Sequence, residues 1–391
     1  MRKFATLQNS VYLMKILLIH QFLWSHYKAG IFTELTSLVK ASSADTLKII
    51  QTAKYEKSRL DFGEADTSIH DYPYELLHDG VYEDTTLLYR FFQVAKRLLT
   101  YNPDVINLPG YYEPAMVLIH FLARLMGIKV ILSIDSTEND NPSKWYTELI
   151  KKIIIKNADG FFCYGTLAAD YMLKLGAKPE EILMRRNSVN NDLVKEIFDQ
   201  YKMSNNYRLE RNKLPTNNFI YVGRFLEIKN IRRLIEAFKA LKDNKNWGLI
   251  LVGDGPMKSE IEQLVQGEDT INLFPPQDWR GVPEKMALAE VLILPSYSEP
   301  WGLVTNEAMV CQMPVIVSNK AGSSADLVKE TENGFTFEPY DVNDLTKKMQ
   351  YFIDNPEAVS QMGLRSVELI KSFSPKKVAA EMYAGFKKVV R

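Results

Sequence analysis

The chain has 391 residues, 46% of them apolar and 25% charged, with Lys plus Arg and Asp plus Glu balanced at 48 each. That length exceeds what one hydrophobic core usually fills, so two domains are expected. The charge balance gives no bulk electrostatic case for nucleic acid or an acidic membrane face, and two cysteines in apolar surroundings, Cys163 and Cys311, favour buried thiols in a reducing compartment.

Early positive charge and apolar stretches in "MRKFATLQNSVYLMKILLIHQFLW" raise a signal peptide, but Lys15, His20 and Gln21 interrupt the apolar region. No small-residue cleavage site follows it. "KILLIH" (15–20) reads as a buried first strand, with 1–13 a dispensable extension before it. Further strands are expected at "LKII" (47–50), "DVINL" (104–108), "KVILSI" (129–134), "GFFCY" (160–164) and "EILM" (181–184). Between them run helical patterns such as "DTTLLYRFFQVAKRLLT" and "EPAMVLIHFLARLMG". Strands alternating with helices imply a parallel, doubly wound sheet. No run reaches the roughly 20 apolar residues that span a bilayer, and the chain reads as cytoplasmic. "KWYTELIKKIIIK" (144–156) has basic and apolar faces. It reads as a buried amphipathic helix, the alternative being a weak contact with the inner face of a membrane.

Residues 1–190 thus form a first Rossmann-like domain, and the polar, Asn-rich 191–217 an interdomain junction. The alternation restarts over 218–372 with strands "NFIYVG", "WGLILVG", "INLF", "VLILP", "PVIVS" and "GFTF". A last helix, 373–391, presents Val378, Met382, Phe386 and Val389 at helical spacing and needs a surface to cover. Two such sheets facing each other place a central cleft at the carboxyl ends of their strands.

Three loops that follow strands of the second half share a theme. "YVGRFLEIKN" turns at Gly223 and offers two cations, Arg224 and Lys229. "LVGDGPM" brings Gly253 and Gly255, where backbone can approach a ligand closely. "SYSEPWGLVTNEAM" carries Glu299, then Gly302, Leu303 and Val304 at a helix start, then Glu307. Cations plus helix-start amides suit a diphosphate, and carboxylates suit sugar and ribose hydroxyls. The plain alternatives are solvated basic residues and a carboxylate complementing a helix dipole; the pairing of Glu299 with Glu307 weighs against them.

These stretches closely resemble the second domain of retaining glycosyltransferases of family 4, enzymes of the two-domain GT-B fold. The likeness is strongest over 218–340, and Glu299 and Glu307 fit the family's Glu-x7-Glu spacing. The resemblance implies that Glu299 holds donor-sugar hydroxyls and Glu307 the nucleotide ribose. Arg224, Lys229 and the amides near Gly302, Leu303 and Val304 would neutralise the departing diphosphate. The first half departs from the family. "HQFLWSHYKAGIFTEL" has Gly30 alone where relatives often carry a Gly-Gly pair. "ILSIDSTENDNP" lacks their histidine and offers Asp135, which reads equally as a turn residue. "NSVN" (187–190) stands for an Asn-Gly-Val-Asp turn. The resemblance implies a metal-independent, retaining transferase without cofactor. Its donor would be a nucleoside diphosphate sugar, its acceptor a saccharide or lipid-linked hydroxyl, its setting cell-surface polysaccharide or glycolipid synthesis. An epimerase or hydrolase on the same fold and a non-catalytic sugar-nucleotide-binding subunit are the alternatives.

Overall fold

A computed structural model describes residues 13–42, 44–58, 64–140, 145–242, 244 and 246–391. The extension read at the start of the chain falls, apart from Leu13, outside them. Thirteen strands alternate with helices in two parallel sheets. The first sheet comprises β1 (Lys15–Phe22), β2 (Thr46–Ala53), β3 (Tyr74–Leu76), β4 (Val105–Leu108), β5 (Lys129–Ile134), β6 (Gly160–Cys163) and β7 (Ile182–Arg185). The second comprises β8 (Asn217–Val222), β9 (Trp247–Val252), β10 (Ile271–Phe274), β11 (Val291–Leu294), β12 (Val315–Ser318) and β13 (Gly334–Phe337).

Their orders are β3-β2-β1-β4-β5-β6-β7 and β10-β9-β8-β11-β12-β13. Both sheets therefore reverse direction beside their own first strand, between β1 and β4 and between β8 and β11, and that reversal opens a crevice at the strand ends. The inner strands are apolar on both faces because helices cover both. Leu17, Ile106 and Leu132 belong to one core of the first sheet and Ile16, Val105 and Ile131 to the other. Continuous apolar runs follow from that double burial. Cys163, in the first of these cores, and Cys311, in a core of the second sheet, are free buried thiols, and burial pushes the Cys163 thiol up to about 12.

One segment adds to the sequence expectation and another departs from it. The polar stretch 191–217 holds two helices, Asn191–Lys202 and Asn205–Arg211, before β8 begins at its end. Val194, Phe198 and Tyr201 of the first helix lie in the core under the second sheet. Its many polar residues face out while one stripe packs. The helix Trp145–Lys156, read as a buried amphipathic helix, buries only Lys151, Ile154 and Ile155. Trp145 is 79% exposed, Leu149 53% and Ile150 56%.

The helix Pro375–Val390 packs on the first sheet, capped by Ser374 with Pro375 at its first position. Val378, Met382 and Phe386 join the core of Ile16, Leu18 and Phe32, each such side chain contributing about 1.5–3 kcal/mol. Tyr383 donates to Asp45 at 2.6 Å. Gly30 lies inside the helix His26–Ala41, where a Cβ would come 3.3 Å from Pro375 Cγ. It serves this helix contact rather than a phosphate loop.

Candidate active site

The loops that leave the carboxyl ends of β1, β4, β5, β8, β9, β10 and β11 line one cleft of about 620 Å³ between the sheets. Most of the predicted site meets there: Asp135, Gly223, Arg224, Gly253, Glu299, Gly302, Leu303 and Glu307. Lys229 reaches it through an ion pair with Glu299. Gly255 and Val304 are not on its wall.

The Arg224–Lys229 loop is held by its own sequence. Tyr221 donates its hydroxyl proton to the Arg224 carbonyl at 2.9 Å. Asn230 adopts the left-handed conformation at φ 58° and ties the loop to its surroundings, donating to the Pro295 and Pro339 carbonyls. The Tyr297 amide donates to the Ile228 carbonyl at 2.9 Å, which joins this loop to the one carrying Glu299. Among the described residues Arg224 makes no ion pair.

Glu299 is fixed by backbone as well as by Lys229. It bridges to Ala321, and its carbonyl accepts the Gly322 amide at 2.8 Å. Gly322 is obligatory, since a Cβ would fall 1.9 Å from the Pro300 oxygen. Gly302, at φ 88°, then starts the helix Leu303–Val310. The amides of Leu303 and Val304 precede any partner carbonyl within that helix. Trp301 is buried and donates Nε1–H to Asn306 Oδ1 at 2.7 Å.

Glu307 is the site's anomaly. It is 8% exposed, borders the cleft, and its carboxylate has no hydrogen-bond or ion-pair partner among the described residues. Burial alone raises its carboxyl from 4.5 to about 8. A buried carboxylate without a partner is costly. Hydroxyls donated by a ligand in the cleft would satisfy it.

The glycines after β9 do something the sequence reading did not foresee. A Cβ on Gly253 would lie 2.0 Å from the Gly223 oxygen, and one on Gly255 2.5 Å from the Phe225 oxygen. The close approach they permit is between two loops of the protein, not between backbone and ligand.

The first domain contributes a different wall. Lys28, in the helix after β1, is buried with its ammonium 3.3 Å from the Tyr164 ring centroid. Desolvation lowers its amine to about 8, opposed by the nearby Tyr27 and Asp135. Asp135 is open to the cleft but walled by protein, and desolvation raises its carboxyl against the pull of Lys28. His20 hydrogen-bonds Gln51 at 2.9 Å, and burial lowers it to about 3, so its ring is neutral. His26 stacks on Trp279 across the cleft at 5.7 Å. Lys28 and Trp279 were not singled out in the sequence. Trp279 follows β10 in a Pro-Pro-Gln-Asp-Trp loop, and the strand-end rule that selected the other loops selects it too. Asn190 caps the helix Asn191–Lys202, accepting the Leu193 amide.

Among the described residues no group of three His, Cys, Asp or Glu side chains is placed to hold a metal ion. Nor is any helix long and apolar enough to cross a membrane.

Comparison with known proteins agrees with this geometry. The fold matches that of HepE from Anabaena at a TM-score of 0.74, covering 96% of this chain and 100% of that one at 15% identity. An uncharacterized glycosyltransferase of Methanocaldococcus jannaschii is 26% identical over 351 residues, 89% of this chain and 91% of the relative. N-acetyl-alpha-D-glucosaminyl L-malate synthase of Bacillus anthracis is 27% identical over 176 residues, 44% of this chain and 45% of its own length. The chain is a glycosyltransferase of the GT-B class. Within that class its second domain carries the signature of the glycosyl transferases group 1, whose family model matches residues 206–366.

Proposed function

We propose that the chain transfers a sugar from a nucleoside diphosphate sugar to an acceptor hydroxyl with retention of anomeric configuration and without a metal ion. The observation that carries this reading is Glu307, a buried and unpartnered carboxylate opening on a cleft that also holds a paired and an unpaired cation. Ribose hydroxyls would donate to Glu307 and favour its ionised form. The Glu299 carboxylate would take sugar hydroxyls, and Lys229, released in part from it, would share the diphosphate with Arg224. Those cations and the amides of Leu303 and Val304 would stabilise charge that grows on the leaving group, fixed in place before the bond breaks. The departing phosphate, on the face where the acceptor attacks, would take the acceptor proton. Asp135 stands on the opposite wall, beside the place left for the reacting sugar.

HepE was solved in complex with UDP and with UDP-glucose, which supports a uridine donor as the first to try. The B. anthracis relative is by name an N-acetyl-alpha-D-glucosaminyl L-malate synthase, and CapM of Staphylococcus aureus belongs by name to capsular polysaccharide biosynthesis. We place this chain in glycoconjugate synthesis, with a saccharide or lipid-linked acceptor. Calorimetry with a panel of nucleoside diphosphate sugars, followed by product analysis with and without acceptor, tests the reading. One donor should bind well above the rest, and turnover should require acceptor. Release of free or epimerised sugar at the same rate without acceptor would overturn it in favour of a hydrolase or epimerase.

A further inference from the structure

The helices Leu87–Tyr101, Pro114–Leu125 and Trp145–Lys156 cover one face of the first sheet. Their inner stripes, among them Val94, Met116 and Ile155, share one core with the strands. Their outer side is unusual. Of the twenty exposed large hydrophobic side chains among the described residues, eleven lie on these three helices. Phe92 is 63% exposed and Leu125 86%, and Trp145, Leu149, Ile150 and Ile153 continue the surface. Single exposed apolar residues need no explanation, but a concentration of this kind does.

Charge is concentrated in the same place. The three helices carry seven Lys and Arg residues and a single carboxylate, Glu148. Arg90, Arg97, Arg124 and Lys151 are ion-paired with Glu113, Glu75, Asp159 and Glu148, which leaves Lys96, Lys152 and Lys156 exposed without an ion pair among the described residues. Glu148 turns inward, accepting from Lys151 and from the Tyr171 hydroxyl. Lys152 and Lys156 stand exposed beside Ile153 and make no ion pair among the described residues. Tyr112, immediately before the second of these helices, is 48% exposed and also lines the cleft. The surface therefore runs up to the mouth of the site.

We propose that this outer helical face docks on an anionic lipid bilayer. Aromatic and aliphatic side chains sink into the headgroup boundary while flanking lysines meet lipid phosphates, the composition of a helix that lies in an interface. A second copy of the chain is the poorer occupant. A two-fold interface sets a patch against itself, which here would bring the unpaired Lys96, Lys152 and Lys156 of one copy toward those of the other. Docking would hold the cleft mouth beside the membrane, where the hydroxyl of a lipid-linked acceptor is within reach. The surface stands whether or not the transfer reading does, because vesicle binding requires no turnover.

The test is co-sedimentation of the full chain with two vesicle types, phosphatidylcholine alone and a mixture with about one third phosphatidylglycerol. The chain should pellet with the anionic vesicles, and rising salt should release part of it. Leu149→Glu combined with Ile150→Glu, and separately Lys152→Glu with Lys156→Glu, should each weaken that binding at least about tenfold. Circular dichroism and affinity for nucleoside diphosphate should stay unchanged, which keeps the result free of misfolding. Equal binding by wild type and both variants, or no binding to anionic vesicles, would overturn the proposal. So would a wild-type dimer in gel filtration that the apolar pair of substitutions converts to monomer, since the face would then be covered by a second copy.

Discussion

The two sheets share a strand order and a switch point, yet the walls they give the cleft are opposite in kind. The second domain presents charges on tightly interlocked loops, Arg224 and the Lys229–Glu299 pair, with Glu307 beside them kept protonated by burial until a ligand partners it. The first presents neutral or muted groups, a histidine lowered to about 3 and a lysine lowered to about 8 against a tyrosine ring. Backbone packing differs as well. A Cβ at Gly253 would overlap the Gly223 oxygen, whereas one at Gly110, after β4, would meet its nearest atom at 3.6 Å. Topology fixes where a crevice opens, and the residues after each strand decide what it can grip.

The contrast breaks most visibly at the glycines. Gly253→Ala should cost roughly 3 kcal/mol, because two backbones must move apart. Gly110→Ala should cost only about 1–2 kcal/mol, the penalty of its positive φ. Urea denaturation of both variants measures the gap, and equal losses would erase the claimed difference between the loops.

Next in size is Glu307. Replacement by Ala should weaken donor and free nucleoside diphosphate alike by about 1.5–3 kcal/mol, roughly tenfold to a hundredfold in calorimetry. Its pH signature is separate. With the folded carboxyl at about 8 against 4.5 in the open chain, the folded state holds a proton that the unfolded state has released. Its contribution to stability is therefore present below 4.5 and lost as pH rises through about 8. Glu307→Gln should flatten that loss in thermal melts across this range, and an unchanged slope would mean that the carboxyl is not the group responsible.

Arg224→Ala and Lys229→Ala should sharpen the contrast by separating binding from chemistry. Turnover should fall roughly tenfold or more with a smaller change in donor affinity, since leaving-group charge grows toward the transition state. A matching loss in both would place the cations in ground-state binding.

The smallest effect belongs to the first wall. Lys28→Met should be neutral or stabilising by about 1 kcal/mol at neutral pH, because it removes a buried amine without a hydrogen-bond partner. An amine lowered from 10.5 to about 8 weakens the fold below pH 8 and ceases to do so as pH climbs past 10.5. The advantage of the methionine should vanish over that interval. A destabilised variant would mean that Lys28 holds the wall together.

Much of this was legible in the sequence, for identifiable reasons. Strands buried on both faces read as unbroken apolar runs, so twelve of the thirteen were visible and only β3, a three-residue edge strand reading Tyr-Glu-Leu, was not. The charged loops showed because they follow strands. The helix Asn191–Lys202 hid because its buried stripe is three residues amid polar ones. The orientation of Trp145–Lys156 could not be read at all. Amphipathicity declares that a helix has two faces but not which of them the sheet receives. Lys28 meets Tyr164, and His26 meets Trp279, only through folding that joins distant segments.

The packing of Pro375–Val390 against Ile16, Leu18 and Phe32 has a consequence in time as well as in space. One face of the first sheet receives part of its cover, beside the helix His26–Ala41, from residues made only after the second domain. At roughly 5–20 residues per second, the whole second domain is made while that face waits, an interval on the order of ten to forty seconds. During it the nascent first domain offers a partly uncovered apolar face to whatever binds such surfaces, and its folding is finished by the arrival of this distant helix rather than by the emergence of its own strands.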